Sequence, residues 1–176
     1  EDAAALRLFA DSGLPFFVSS SFSKSFSLYG ERVGALSIVT LDRDETARVT
    51  SQVKRVIRTN YSNPPTHGAA IVAAVLSTPE LRKLWEQELA GMRERIRQMR
   101  VQLVEKLKAR GVKQAFSFVT AQRGMFSYSG LTSAQVDRLR EEFGIYAIAT
   151  GRICLAALNS RNIDAVADAI AKVVEA

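Results

Sequence analysis

The sequence predicts an α/β protein in which an α/β region is followed by a long helix and a smaller α+β region. Short apolar segments at 16–18 and 33–41 alternate with helical patterns over the first part of the chain. One stripe of apolar residues at steps of three and four then runs through residues 79–110, which is typical of a single long helix. Shorter segments of both kinds follow, and this order favours two domains joined by the helix.

The first part of the chain predicts three helices and two strands. In order, these are a helix over 3–11, strands over 16–18 and 33–41, and helices over 44–58 and 67–76. The continuously apolar first strand is typical of a sheet buried on both faces, and a serine-rich loop follows it. Pro64 and Pro65 separate the last two helices, because proline lacks a backbone donor. The small apolar residues of the second of these helices indicate close packing.

The helix over 79–110 is the clearest predicted element. Thr78 suits the N-cap, Pro79 the first helical position, and Gly111 the end. At the helical rise it is about 50 Å long, enough to bridge two domains. The elements predicted after it are strands over 116–120, 124–128, 145–149 and 152–156, and helices over 132–143 and 160–174. Thr132 and Gln135 have the spacing of a capping box.

Composition excludes several classes of protein. The 176 residues are 47% hydrophobic and 24% charged, as in ordinary globular domains. No apolar run approaches the roughly 20 residues of a membrane helix. Cys154 is the only cysteine and His67 the only histidine, so no disulfide is formed within the chain and no metal is expected. The acidic start, Glu1 and Asp2, lacks an initiator methionine and a signal peptide, and we expect it to lie within a longer protein.

Many basic residues lie on the long helix. They are Arg82, Lys83, Arg93, Arg95, Arg97, Arg100, Lys106, Lys108 and Arg110. One interpretation is a non-catalytic domain that binds nucleic acid or other acidic partners through this helix. The interpretation favoured here is a solvated helix face, because glutamates are interspersed and Glu94 can pair with Arg97. No aromatic residues interleave with the basic ones to stack on bases.

The segment 19–34 carries the strongest chemical signal. Lys24 follows a predicted strand in a hydroxyl-rich loop between Phe22 and Phe26, and Arg32 follows eight residues later. Hydroxyls and a guanidinium suit a phosphate group. An amine partly desolvated by aromatic rings can form Schiff bases. A lysine next to a phosphate site is what pyridoxal phosphate requires, and the alternative is an exposed loop without chemistry.

Other interpretations use the same residues. Ser21 and Lys24 match the S-x-x-K pattern of penicillin-binding proteins and β-lactamases, but no Lys-[Ser/Thr]-Gly segment follows. A plain phosphate-binding loop remains open, although neither G-x-x-x-x-G-K-[ST] nor G-x-G-x-x-G is present. A Ser-His-Asp triad also remains open, without a G-x-S-x-G segment to hold its serine.

The segment 21–34 resembles the cofactor-lysine segment of class I pyridoxal-phosphate-dependent aminotransferases, in particular the aspartate and aromatic amino acid enzymes. Four further segments are similar to the same family in the same order, namely 57–68, 85–89, 124–131 and 150–152. The resemblance covers essentially the whole chain. Residues 134–144 and Cys154 favour the bacterial aromatic amino acid enzymes.

The resemblance implies the C-terminal portion of the large domain of a fold-type I enzyme in residues 1–78, a connecting helix in 79–110 and a small α+β domain in 111–176. It implies transfer of an amino group between an aromatic or dicarboxylic amino acid and a 2-oxo acid, with 2-oxoglutarate expected. A cytoplasmic homodimer without nucleic-acid or membrane partners is expected. The N-terminal half of family members carries further cofactor contacts, so we expect this chain alone to be inactive.

The resemblance also implies which residues bind the cofactor. Lys24 would attach pyridoxal 5'-phosphate covalently and then move the proton of the substrate α-carbon. Ser21, Ser23 and Arg32 would hold the cofactor phosphate. Trp85 is expected in the core and is given no role.

Five residues are implied to bind substrate. Arg152 would bind the substrate α-carboxylate, and Phe126 would line the pocket. Arg58 would reach the side-chain carboxylate of a dicarboxylic substrate in the partner subunit's site, with Ser62 and Asn63 near that end. Without the resemblance, a structural salt bridge is the favoured interpretation of Arg152, and Arg58 suits the negative end of a helix dipole.

Overall fold

The computed structural model describes residues 3–175. Glu1 and Asp2, expected to begin inside a helical pattern, lie outside the described residues. The chain divides into two compact units, Glu1–Trp85 and Glu86–Ala176. Within 3–175, no helix is both long enough and apolar enough to cross a bilayer.

The first unit pairs two strands with three helices. Its elements are α1 (Ala4–Asp11), β1 (Phe16–Ser21), β2 (Gly34–Val39), α2 (Arg43–Tyr61) and α3 (His67–Ser77). The strands are antiparallel, in register from Phe16 opposite Val39 to Ser21 opposite Gly34. The Asp42 carboxylate caps α2 by accepting from the Glu45 backbone N–H at 2.7 Å, which satisfies one free donor of the first turn. This order confirms the five elements predicted here.

Burial in the first unit differs from the prediction. β1 extends to Ser21, and Phe17 is 71% exposed although a strand buried on both faces was predicted. In α3, predicted to be closely packed, only Gly68 and Val72 are buried. Further exposed apolar side chains are Leu8, Leu14, Leu36 and Leu41. A continuous apolar strand becomes buried only when other elements cover both faces, and among the described residues β1 pairs with β2 alone.

The long helix α4 (Pro79–Ala109) starts in the first unit and supplies one side of the core of the second. It ends before Gly111, whose φ of 78° is the left-handed conformation that the prediction required there. The remaining elements are α5 (Phe118–Ala121), β3 (Phe126–Tyr128), α6 (Ser133–Phe143), β4 (Arg152–Cys154), a 3-10 turn (Leu155–Ala157) and α7 (Ile163–Val174). Thr132 and Gln135 form the predicted capping box.

Two predicted strands of the second unit are wrong. Residues 116–120 contain α5, and their buried side chains Phe116 and Val119 have the spacing of three that a helical turn gives. Residues 145–149 form no strand and make only one isolated bridge, from Ile148 to Arg152. The strand predicted over 152–156 ends at Cys154. Phenylalanine and isoleucine favour strands, but the packing partner decides the conformation.

The solvated-face interpretation of the basic helix is wrong for Arg100, and Arg95 and Arg110 bond within the unit although they keep contact with solvent. Arg100 is 3% exposed. Arg95 donates to the backbone carbonyls of Leu158 and Ala156 at 2.8 and 2.9 Å. Arg110 donates to the Asp168 carboxylate of α7 at 2.5 Å. These cations are used inside the second unit, so they do not form a free surface for an acidic partner.

Candidate active site

Lys24 lies in a tight turn that follows β1. The Phe26 backbone N–H donates to the Phe22 carbonyl at 3.1 Å, and that of Ser27 donates to the Lys24 carbonyl at 3.3 Å. The Lys24 side chain is exposed, with Nζ 5.2 Å from the centroid of the Tyr29 ring. Its aromatic neighbour is therefore Tyr29, and the expectation that Phe22 and Phe26 desolvate it is wrong. The two phenylalanines contact each other edge to face, with centroids 5.4 Å apart.

Trp85 holds this turn and was missed by the sequence interpretation. Its indole Nε1 donates to the Ser25 carbonyl at 2.7 Å. Its ring stacks on Phe26 with centroids 4.7 Å apart. Trp85 is only partly buried, so it fixes the backbone beside Lys24 instead of filling a core. The one signal was its place as the only tryptophan, in a segment that resembles the family.

The phosphate-type donors are Ser21, at the end of β1, and Ser23 and Arg32, on the loop that follows. Ser23 is buried, and its backbone N–H donates to the Ser21 hydroxyl at 3.3 Å. Arg32 has a positive φ of 52° and donates to the Tyr29 carbonyl at 3.0 Å. Among residues 3–175 it has no carboxylate partner, so its remaining donors suit an anion. Hydroxyl and guanidinium donors beside a lysine amine fit the chemistry of a phosphorylated aldehyde cofactor.

The start of α3 fixes the turn that carries Arg32. His67 Nδ1 lies 2.9 Å from the Glu31 carboxylate. A Cβ on Gly68 would lie 3.0 Å from the Cβ atoms of both Glu31 and Val33, so any other residue here would require these neighbours to move by a few tenths of an ångström. The neighbours of Arg32 in sequence are therefore held against a helix.

Arg58, Ser62 and Asn63 meet at the end of α2. The Arg58 guanidinium donates to the Ser62 hydroxyl at 2.8 Å, and both side chains are exposed. Ser62 has a positive φ of 69°, an uncommon conformation for a residue with a side chain. The Asn63 backbone N–H donates to the Tyr61 carbonyl at 2.8 Å. The structure therefore brings these three predicted residues together on one turn.

Phe126 and Arg152 are neighbours in the second unit. β3 and β4 pair antiparallel, with Phe126 opposite Cys154 and Tyr128 opposite Arg152. The guanidinium carbon of Arg152 lies 5.0 Å from the centroid of the Phe126 ring. Within the described chain Arg152 has no carboxylate partner, so the structural salt-bridge interpretation finds no support. An exposed guanidinium on an aromatic face is open to an anionic ligand.

Gly151 sets the direction from which Arg152 enters β4. Its φ is 82°, and a Cβ there would lie 2.6 Å from the Leu131 carbonyl oxygen. The Ser129 hydroxyl and backbone N–H both donate to the Gly151 carbonyl, at 2.6 and 2.9 Å. Any other residue at this position would displace the strand that carries Arg152.

Comparison with known proteins identifies the family of the chain. The family model of aminotransferase class I and II matches residues 1–170. An aspartate aminotransferase of Pseudomonas aeruginosa is 72% identical over 174 residues, and an aromatic-amino-acid aminotransferase of Escherichia coli is 53% identical over 174 residues. Each alignment covers 99% of this chain and 44% of the relative.

A solved structure matches as well. The aromatic-amino-acid aminotransferase from Burkholderia pseudomallei, covalently bound to pyridoxal phosphate, superposes with a TM-score of 0.96 at 76% identity and covers 98% of this chain and 43% of its own. The chain belongs to the class I and II aminotransferase family. The predicted family and fold type are thereby confirmed, and the chain spans less than half the length of the curated relatives that it matches.

Proposed function

We propose that this chain is the C-terminal part of a longer aminotransferase that uses pyridoxal 5'-phosphate, with Lys24 as the cofactor lysine. The observation that carries the proposal is the loop after β1, where an exposed amine stands on a turn held by Trp85. Ser21 ends β1, Ser23 and Arg32 lie on the loop, and all three offer phosphate donors. The similar Burkholderia pseudomallei enzyme holds its pyridoxal phosphate covalently, which supports the same assignment.

The residues of this loop have distinct tasks in the reaction. When bound, pyridoxal phosphate supplies an electron sink that weakens the bonds of the substrate α-carbon. Lys24 Nζ would hold the cofactor through its aldehyde carbon and, when free, would accept the proton of the substrate α-carbon. Arg32 and the hydroxyls of Ser21 and Ser23 would hold the cofactor phosphate independently of the Lys24 attachment.

Substrate binding is assigned to two arginines, Arg152 and Arg58. The planar guanidinium of Arg152 binds the α-carboxylate through two parallel hydrogen bonds, and the Phe126 ring limits its orientation. Arg58 binds the second carboxylate of a dicarboxylic substrate in the site of a partner subunit, next to Ser62 and Asn63. The substrates are aromatic and dicarboxylic amino acids and 2-oxo acids, with 2-oxoglutarate as the acceptor.

The proposed enzyme is a homodimer in the cytoplasm. Residues 1–78 belong to the large cofactor domain, 79–110 to the connecting helix and 111–176 to the small domain. The continuous α4 supports the middle assignment. The exposed apolar side chains of the first unit, including Phe17, support further elements of the longer protein covering that domain.

The test uses the full-length protein loaded with pyridoxal phosphate. Borohydride reduction should fix the cofactor to Lys24, as located by peptide mapping. Lys24→Ala should abolish that adduct and lower kcat by more than about a thousandfold, because a positioned proton-transfer group alone contributes roughly 10²–10⁴. Cofactor should still bind noncovalently through Arg32. Lys54→Ala, at an exposed lysine of α2, is the matched control and should change neither result. A reduced adduct on a different lysine would contradict the assignment.

A further inference from the structure

Arg100 is a buried cation with no anionic partner among residues 3–175. It lies on α4 among the core residues Met99, Leu103 and Leu107, and it is 3% exposed. Its hydrogen-bond acceptors are all uncharged oxygens. Burial lowers the pKa of Arg100 from its ordinary value, and the charge of Arg123 lowers it further. A buried charge without a counter-ion is costly, and an apolar residue of similar volume often gives equal or better stability.

The three acceptors lie on three consecutive pieces of the chain. Nη1 donates to the Val119 carbonyl of α5 at 3.1 Å and to the Ser127 hydroxyl of β3. Nη2 donates to the carbonyl of Gly124, in the turn between them, at 2.6 Å. A planar guanidinium makes these bonds in fixed directions, so one side chain sets the path from α5 through the turn into β3.

The anchored strand displays Phe126. Side chains alternate along β3, with Ser127 buried beneath it and Phe126 and Tyr128 exposed on the other face. Tyr128 pairs with Arg152 across the sheet, and the Phe126 ring lies under the Arg152 guanidinium. The hydrogen bond from Arg100 to Ser127 on the buried face therefore fixes the position and direction of Phe126 and Tyr128 on the exposed face.

We propose that Arg100 is a positioning residue that holds β3 so that Phe126 and Arg152 present a preformed carboxylate site. This inference rests on the proposed function, since it assigns Arg100 to the substrate step of that reaction. Arg100 does not touch substrate. It acts through Ser127 and the Gly124 carbonyl, and its loss widens the range of positions that the Arg152 guanidinium occupies.

The test measures KM and kcat of the full-length enzyme for an amino acid and a 2-oxo acid. Arg100→Met should raise both KM values by about tenfold, because displacement of a binding group by a fraction of an ångström weakens its contacts. kcat should change less than KM, and the visible absorption of bound cofactor should stay unchanged. Arg100→Lys should recover part of the loss, since an ammonium donates to fewer of the three acceptors.

Arg110→Met is the matched control. Arg110 also lies on α4 and holds another element of the same unit, but its partners are Asp164 and Asp168 of α7. The Arg110→Met substitution should lower thermal stability and leave KM as in the unaltered enzyme. If Arg100→Met does not fold, Ser127→Ala carries the test, because it removes one acceptor and should raise KM by about threefold.

Unchanged KM values in Arg100→Met, or in Ser127→Ala where the first variant does not fold, would overturn the positioning role and leave the proposed function intact. An equal rise of KM in Arg110→Met would also overturn it, because any loosening of the unit would then suffice. Absence of transamination by the unaltered full-length protein would instead overturn the proposed function, and the role of Arg100 with it.

Discussion

At the scale of single residues, the contacts of Arg152 distinguish it from a structural arginine. It is exposed, rests on Phe126 and has no carboxylate partner among residues 3–175. A structural arginine normally pairs with an acid or with carbonyls, as Arg95 of α4 does in the same unit. The unused donors of Arg152 therefore favour ligand binding over a structural role.

Arg152→Lys in the full-length enzyme should weaken every substrate, whatever its side chain. Lysine offers a compact charge and loses the second parallel hydrogen bond, at a cost of about 2 kcal/mol or roughly a thirtyfold rise in KM. Cofactor absorption should be unaltered. Arg161→Lys, at an exposed arginine of the same unit, is the control. Normal KM values for aspartate, phenylalanine and 2-oxoglutarate in Arg152→Lys would leave this arginine without a role in binding.

Arg58 is expected to discriminate between substrates. Aspartate carries a second carboxylate and phenylalanine does not, so Arg58→Ala should lower kcat/KM for aspartate by about a hundredfold and spare phenylalanine. Arg55→Ala, one turn earlier on α2, should spare both. Equal losses for the two substrates would indicate that the bond from Arg58 to Ser62 merely supports the turn.

The proposed contact across the dimer has its own test. A heterodimer of Lys24→Ala and Arg58→Ala subunits contains one site with both residues intact, and it should regain part of the aspartate activity that each homodimer lacks. The heterodimer is isolated with two different tags and assayed with aspartate. Activity no higher than in the parent homodimers would place Arg58 outside the partner's site.

At the scale of elements, the loop between β1 and β2 depends on how closely α3 approaches it. Gly68→Ala should destabilise the protein by about 1 kcal/mol and lower phosphate affinity, because overpacking by the added Cβ against Glu31 and Val33 outweighs the gain in helix propensity. Gly91→Ala, on α4 with open space around the position, should stabilise by ~0.5–1 kcal/mol. Urea unfolding measures the stability of both variants, and titration with phosphate measures the phosphate affinity of Gly68→Ala. A stabilised Gly68→Ala variant with normal phosphate affinity would refute the close-approach argument.

At the scale of the whole molecule, charges tie α4 to α7. Hydrogen bonds from Lys106 and Arg110 lower the pKa of Asp164, and one from Arg110 lowers that of Asp168. A hydrogen bond from Arg97 lowers the pKa of Glu94 to about 2. These carboxyl pKa values are lower in the folded protein than in the unfolded chain. The pairs therefore stabilise the fold at pH values above the ordinary carboxyl pKa, and this stabilisation is lost as the pH falls through the lowered pKa values.

Stability should therefore decrease from about pH 4.5 to about pH 2. The pairs are largely exposed, so the decrease should be small and should shrink further in high salt. Urea midpoints across this range measure it, and Arg110→Met should show a shallower decrease than the unaltered protein. An identical acid profile in Arg110→Met would assign the effect to other carboxylates.

The sequence by itself determined the features that depend on neighbours in the chain. The stripe of α4, its end before Gly111 and the capping box of Thr132 and Gln135 follow from local hydrogen bonds and helical periodicity, which a short window contains. The resemblance of the segment around Lys24 gave the family. It also proposed the site residues, whose roles stay predictions.

The tertiary structure alone decided which residues of equal local appearance are buried and what they contact. In the sequence, Arg100 cannot be distinguished from the other basic residues of α4. Only the fold shows that α5 and β3 supply its hydrogen-bond acceptors. Residues 116–120 have the sequence pattern of a strand, but the structure forms a helical turn there. Trp85 was expected in the core, but its indole donates to the Ser25 carbonyl. In each case the deciding partner is distant in sequence, and packing against a distant partner leaves no periodic signal in a local segment.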